Sequence, residues 1–156
     1  LAPTIEGDLI AAKLMNTRYR VVASPRYLAG HPEIRQPADI SSHRVLLFNL
    51  RSYRSRWLFR DSEGNEATVP ISGDITLAPA GPLLAAAPAG LGPALLPDWL
   101  VDEAITDGRL EDLFPGHRAT ATTFDTAAWL VYPSRAFLPN KVRVMIDFLR
   151  SKFATR

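Results

Sequence analysis

The sequence predicts an α/β domain with a mixed or mostly parallel sheet. Strand-like and helix-like runs alternate through the second half, after a hairpin. Helix starts recur directly behind strand ends, as in Ser24-Pro25 and Pro97-Asp98. Short apolar runs such as "PALLP" (93–97) are continuous, as in strands covered on both faces. At 156 residues the chain is long enough to bury a real core.

The elements follow in order. "DLIAAKLM" (8–15) reads as a short or edge strand, and "YRVVASP" (19–25) as a better one that stops at Ser24-Pro25. Ser24 is a good N-cap with Pro25 at the first helical position, and Gly30 ends that short helix. "PADISSH" makes another brief helical turn behind Gln36, and "HRVLLFNL" (43–50) a buried strand. "SRWLFRD" (55–61) and "EATVPISG" (66–73) flank "SEGN" as a hairpin, and "DITLA" (74–78) is a further strand. "AGPLLAAAPAG" (80–90) is a small-residue helix, and "PALLP" follows as a strand. "DWLVDEAITDG" (98–108) is a helix capped by Asp98 and ended by Gly108. "RLEDLF" (109–114) and "AAWLVYP" (127–133) are strands. The chain closes on an amphipathic helix, 138–153, with a stripe of Val142, Met145, Ile146 and Leu149. Trp57, Trp99 and Trp129 sit inside apolar runs and read as core anchors.

Composition narrows the chemistry. Residues are 47% hydrophobic and 22% charged, as in a soluble globular protein, and a formal charge of +2 is too weak to argue for nucleic acid. No cysteine is present, which removes disulfides and thiolate chemistry. No apolar run is long enough for a bilayer, so no membrane partner is expected. Thirteen prolines stand singly and mark boundaries. Gly90-Leu91-Gly92 is not a dinucleotide fingerprint: it follows a helix and precedes a strand, whereas that motif needs the reverse order.

Candidate sites follow from the strand ends. In an open α/β sheet, ligands lie beyond the carboxyl ends of strands. Those ends are Ser24-Pro25, Asn49-Leu50, Ala78-Pro79 and Leu96-Pro97. Arg51 opens the basic run Arg51-Ser52-Tyr53-Arg54-Ser55-Arg56 just behind Asn49. It offers a fork to an anion, against the plainer reading of a solvated loop. Ser24, Asn49, Arg51, Ala78, Pro79 and Pro97 are therefore the candidate ligand-contacting residues. His31, His43 and His117 lie on separate turns without ligand spacing and read as surface or capping residues, so no metal is expected. Asp98, Asp102 and Glu103 read as a cap and a solvated pair, not paired acid–base carboxylates. Ser134 lacks a nucleophile-elbow context. No catalytic residue and no cofactor is assigned.

"ASPRYL", "AGLGPALLPDWLV", "DGRLEDLFP" and "VYPSRAFLPNKVRVMIDFL", in that order and spread over nearly the whole chain, resemble the effector-binding domain of LysR-type transcriptional regulators. The sequence departs from that family at Pro88, Pro93 and Ala78-Pro79, the last replacing a polar strand end. The resemblance implies a periplasmic-binding-protein-like (type II) fold of two hinged lobes with a small effector in the cleft. It implies that residues 1–19 close the first lobe and 20–124 form the second lobe with crossover strands. Residues 125–156 supply the return strand and C-terminal helix. Ser24 would be cap and cleft wall together, and "TATTF" (120–124) the return crossover. The winged helix-turn-helix and the opening of the first lobe are expected to be absent from this chain. The implied protein is a cytoplasmic, DNA-binding homodimer or homotetramer that senses an aromatic or carboxylated metabolite. A periplasmic-type solute-binding protein and a small α/β enzyme are the alternatives.

Overall fold

The computed structural model describes residues 9–133 and 139–153. The strands are β1 (Leu9–Asn16), β2 (Tyr19–Ala23), β3 (Arg44–Phe48), β4 (Arg56–Arg60), β5 (Glu66–Pro70), β6 (Ser72–Leu77), β7 (Ala94–Pro97), β8 (Glu111–Asp112), β9 (Arg118–Thr120) and β10 (Ala127–Pro133). The α-helices are α1 (Pro25–Ala29), α2 (Ala80–Ala86), α3 (Asp98–Thr106) and α4 (Asn140–Phe153), with 3-10 turns at Pro37–Ser42 and Arg51–Tyr53. The chain divides into two compact units: Leu1–Thr17 with Asp125–Arg156, and Arg18–Phe124.

In the first unit β1 and β10 pair antiparallel, from Leu9 opposite Pro133 to Asn16 opposite Ala127, with an irregularity between Lys13 and Met15. The Thr126 hydroxyl donates to the Thr17 carbonyl at 2.9 Å, and the Thr17 amide donates to the Thr126 carbonyl at 3.0 Å. On α4, Ile146 is buried and Val142 and Leu149 are half-buried, but Met145 is exposed, so the stripe is narrower than its spacing predicts.

The second unit is one mixed sheet in the order β5-β4-β9-β2-β7-β3-β6, with β8 also on β2. It is not mostly parallel. Only β3 runs parallel to its neighbours, β6 and β7, and every other pair is antiparallel. Alternation of side chains sends successive strand residues into two cores. Val21, Val45, Leu47 and Leu95 join Trp57, Phe59, Val69 and Phe114 where the sheet curls on itself. Val22, Leu46, Ala94 and Leu96 meet Leu83, Ala87, Val101 and Ala104 beneath α2 and α3. Both faces are thus covered, which is why β2, β3 and β7 read as continuous apolar runs. Each fully buried Leu or Val contributes about 1.5–3 kcal/mol.

Local signals act as their chemistry requires. The Ser24 hydroxyl accepts from the Tyr27 amide at 3.2 Å, Pro25 opens α1, and Gly30 closes it. Gly108, at φ +71°, follows α3. Asp98 is the first helical residue rather than the cap, which is Pro97; its carboxylate accepts from the Trp99 amide at 2.8 Å. Gly92 has φ +146°, and a Cβ there would lie 2.6 Å from the Arg44 carbonyl oxygen, so it serves close approach to β3 as well as a turn. The Ala78–Pro79 peptide is cis. Trp57 is buried and Trp129 half-buried, but Trp99 is 45% exposed and anchors nothing.

Candidate functional site

Strand direction decides which candidate residues meet. β3, β6 and β7 run the same way, so Phe48, Leu77 and Pro97 end at one edge of the sheet. β2 runs against β7, with Tyr19 opposite Pro97 and Val22 opposite Ala94. The beginning of β2 therefore joins the carboxyl ends of its neighbours. There the two cores approach each other around a recess of about 80 Å³, lined by Tyr19, Phe48, Tyr53, Ala80, Leu83, Leu95, Leu96 and Pro97.

Three aromatic rings shape this recess. The Tyr53 ring meets Phe48 edge-on at 5.6 Å between centroids and is tilted against Tyr19 at 6.2 Å. The Tyr53 hydroxyl donates to the Tyr19 hydroxyl at 3.2 Å. Burial pushes the Tyr53 phenol well above its ordinary range; the Tyr19 hydrogen bond adds to this and the Thr122 side chain opposes it. Tyr53 ends the 3-10 turn Arg51–Tyr53, closed by its amide donating to the Leu50 carbonyl at 2.9 Å. The strand before that turn is anchored by the Asn49 amide donating to the Leu77 carbonyl at 2.9 Å. Among the described residues no charged side chain lines the recess. The arrangement can therefore hold a compact apolar or ring-bearing group and offer it hydroxyls.

Of the six candidates, Pro97 lines the recess. Asn49, Arg51, Ala78 and Pro79 are exposed and immediately flank, in sequence, elements that line it: Phe48, the turn carrying Tyr53, and Ala80. Ser24 does not join them. It is buried at the far end of β2, because that strand is antiparallel and its carboxyl end points away from the other three. There it caps α1 and sits beside Gly90. The lining residues missed from sequence are Tyr19, Phe48, Tyr53, Ala80, Leu83, Leu95 and Leu96. Tyr19 at a strand start and Tyr53 inside an arginine run carried no local signal for a shared recess.

Other expectations resolve similarly. Arg20, Arg35, Arg44, Arg60 and Arg109 each pair with a carboxylate, whereas among the described residues no ion pair involves Arg51, Arg54 or Arg56. His43 is not a surface residue. It is 2% exposed and bonded through Nδ1 to the Tyr27 hydroxyl at 3.0 Å, while its Nε2 has no partner among the described residues. His31 stacks on Tyr27 at 3.8 Å between centroids. Burial, then the neighbouring His31, lowers the His43 pKa, and Asp39 opposes this. Among the described residues no group of three or more His, Cys, Asp or Glu could hold a metal ion. No helix of the described residues is long and apolar enough to cross a membrane. Ser134 lies outside the described residues.

The LysR substrate binding domain family model matches residues 2–154. Similar curated proteins are the HTH-type transcriptional regulators CrgA of Neisseria meningitidis, 32% identical over 92% of this chain and 46% of the relative, and DmlR of Escherichia coli, 32% identical over 96% and 47%. PtxR of Pseudomonas aeruginosa, also an HTH-type transcriptional regulator, is 31% identical over 93% and 45%. The chain thus spans about half the length of the curated relatives it matches. Among solved structures, the CrgA regulatory domain of Neisseria meningitidis matches with a TM-score of 0.78 and 30% identity, over 95% of this chain and 71% of that one. The AphB regulatory domain of Vibrio vulnificus matches with a TM-score of 0.73 and 27% identity, over 94% and 71%.

Proposed function

Because the chain belongs to the LysR substrate-binding-domain family, we propose that it is the ligand-sensing part of a bacterial transcriptional regulator whose small-molecule effector binds at the Tyr19–Phe48–Tyr53 recess. The observation that carries this reading is the convergence of two strand ends, Phe48 and Pro97, with the starts of β2 and α2 on one aromatic-walled hollow. Pro97 forms part of its wall, and Asn49, Arg51, Ala78 and Pro79 belong to its rim. Ser24 is structural. The effector acts by binding alone: it favours one arrangement of subunits by a few kcal/mol and so biases DNA binding by a separate helix-turn-helix segment. The regulator works in the cytoplasm as a homodimer or homotetramer.

Each curated relative named above is an HTH-type transcriptional regulator. That supports sensing over turnover, and over the transport role of a periplasmic solute-binding protein. The two units, divided at Thr17 and Phe124, support the reading of the chain as a second lobe with pieces of a first.

The test is a thermal-shift screen of this chain against small metabolites, repeated on Ala80→Leu, which fills the recess. A ligand that raises the melting temperature, and loses that effect in the variant, supports the assignment. A ligand whose effect survives in Ala80→Leu moves the site elsewhere.

A further inference from the structure

Resting on the reading of the recess as a ligand site, we infer that it selects an uncharged hydrogen-bond acceptor on a compact apolar group, held by the Tyr19 hydroxyl, and rejects a carboxylate at the same position.

Among the described residues the walls carry no charged side chain, and two phenol hydroxyls are the only side-chain hydrogen-bonding groups on the lining. Tyr53 donates its proton to the Tyr19 oxygen. Each hydroxyl has one proton to give, so the proton of Tyr19 is left for a ligand; among the described residues Tyr19 donates to no other side chain. Burial keeps the Tyr53 phenol protonated, and its hydrogen bond to Tyr19 favours the same form. A ligand acceptor at Tyr19 receives one hydrogen bond in apolar surroundings. A carboxylate there receives the same single bond but loses its hydration without a counter-ion, which costs far more than a neutral group loses. The recess is also small, about 80 Å³. That is well below the size of pockets that enclose drug-sized ligands, so one ring or short branched chain fills it and any anionic tail stays outside. Exposed Arg51 and Arg54, two residues before and one after Tyr53, and exposed Arg18, beside Tyr19, are the cations adjacent in sequence for such a tail.

Benzamide, benzoate and toluene separate the terms, since the first two share a shape and differ in charge, and the third has no acceptor. Titration calorimetry on the intact chain is expected to give benzamide at least about tenfold tighter binding than benzoate. Tyr19→Phe is expected to weaken benzamide by roughly two- to tenfold and leave toluene unchanged. Ser24→Ala, at the far end of β2 from the recess, is expected to retain benzamide binding. Benzoate binding as tightly as benzamide, or benzoate binding abolished by Arg51→Ala, overturns the inference while leaving the recess a ligand site. Benzamide binding that is indifferent to Tyr19→Phe does the same. Failure of all three probes to bind removes the ligand site itself.

Discussion

The Tyr53 hydroxyl donates to the Tyr19 hydroxyl at 3.2 Å, joining a 3-10 turn to the first residue of β2 across a sequence separation of 34. The bond ties the turn behind β3 to the start of β2 where both line one hollow. Replacing Tyr53 by Phe removes it while keeping the ring against Phe48. A loss of about 0.5–1.5 kcal/mol is expected in urea denaturation, with no change in slope.

The same pair sets an alkaline limit. The folded Tyr53 phenol is raised above its ordinary value of 10.0, first by burial and then by Tyr19. Above pH 10 the unfolded chain releases this proton before the folded one does. Stability from this group is therefore full below pH 10 and declines as pH rises toward the folded value. Urea midpoints at pH 9 and 11 should diverge more in the parent chain than in Tyr53→Phe; equal slopes refute the assignment.

His43 sets an acid limit in the opposite sense. Its folded pKa lies below 6.5, because burial disfavours the charged ring and His31 adds to this, with Asp39 as the opposing charge. Its contribution is complete above pH 6.5 and lost as pH falls through the window beneath. His43→Leu should flatten the fall in urea midpoint between pH 7 and 5. Its absolute stability at pH 7 should drop slightly, because the Tyr27 hydroxyl loses its partner.

Glycines test the packing of β3. A Cβ at Gly73 would sit 1.9 Å from the Val45 carbonyl oxygen, and one at Gly92 2.6 Å from that of Arg44 at φ +146°. Gly73→Ala and Gly92→Ala should each destabilise by about 2 kcal/mol or more, at the large end of single-site effects. Gly81, inside α2 with nothing within 4 Å, is the control. Gly81→Ala should stabilise by about 0.5–1 kcal/mol in the same denaturation assay.

These cases separate what a sequence displays from what only pairing decides. The Ser24-Pro25 cap, the hairpin of β4 and β5, and the Gly108 terminator are written in neighbouring residues, because they rest on local backbone geometry and turn chemistry. The direction of β2 is not. An apolar run covered on both faces reads the same in a parallel or an antiparallel neighbour, so the sequence alone groups Ser24 with strand ends it never meets. β9 is three residues, Arg118–Thr120, with no apolar alternation, and only its pairing with β4 and β2 makes it a strand. Trp99 lies in an apolar run yet falls on the outer side of α3, a matter of helix phase that its neighbours do not resolve.

Ser24 and Pro97 finally distinguish a cap from a site. The two residues lie at opposite ends of the β2–β7 pair, with Val22 near Ala94 and Tyr19 opposite Pro97. Ser24→Ala removes the acceptor for the Tyr27 amide and should cost about 0.5–2 kcal/mol. It should leave the affinity of any recess ligand unchanged, since the folded population remains dominant and no wall moves. Pro97 both lines the recess and precedes α3, whose first amide donates to the Arg18 carbonyl at 2.9 Å. Pro97→Ala preserves that bond while trimming the wall, so affinity should fall by more than stability does. Ligand titrations on both variants, at temperatures where each is folded, check the contrast. A ligand lost in Ser24→Ala and kept in Pro97→Ala would place the binding site at the opposite end of the sheet.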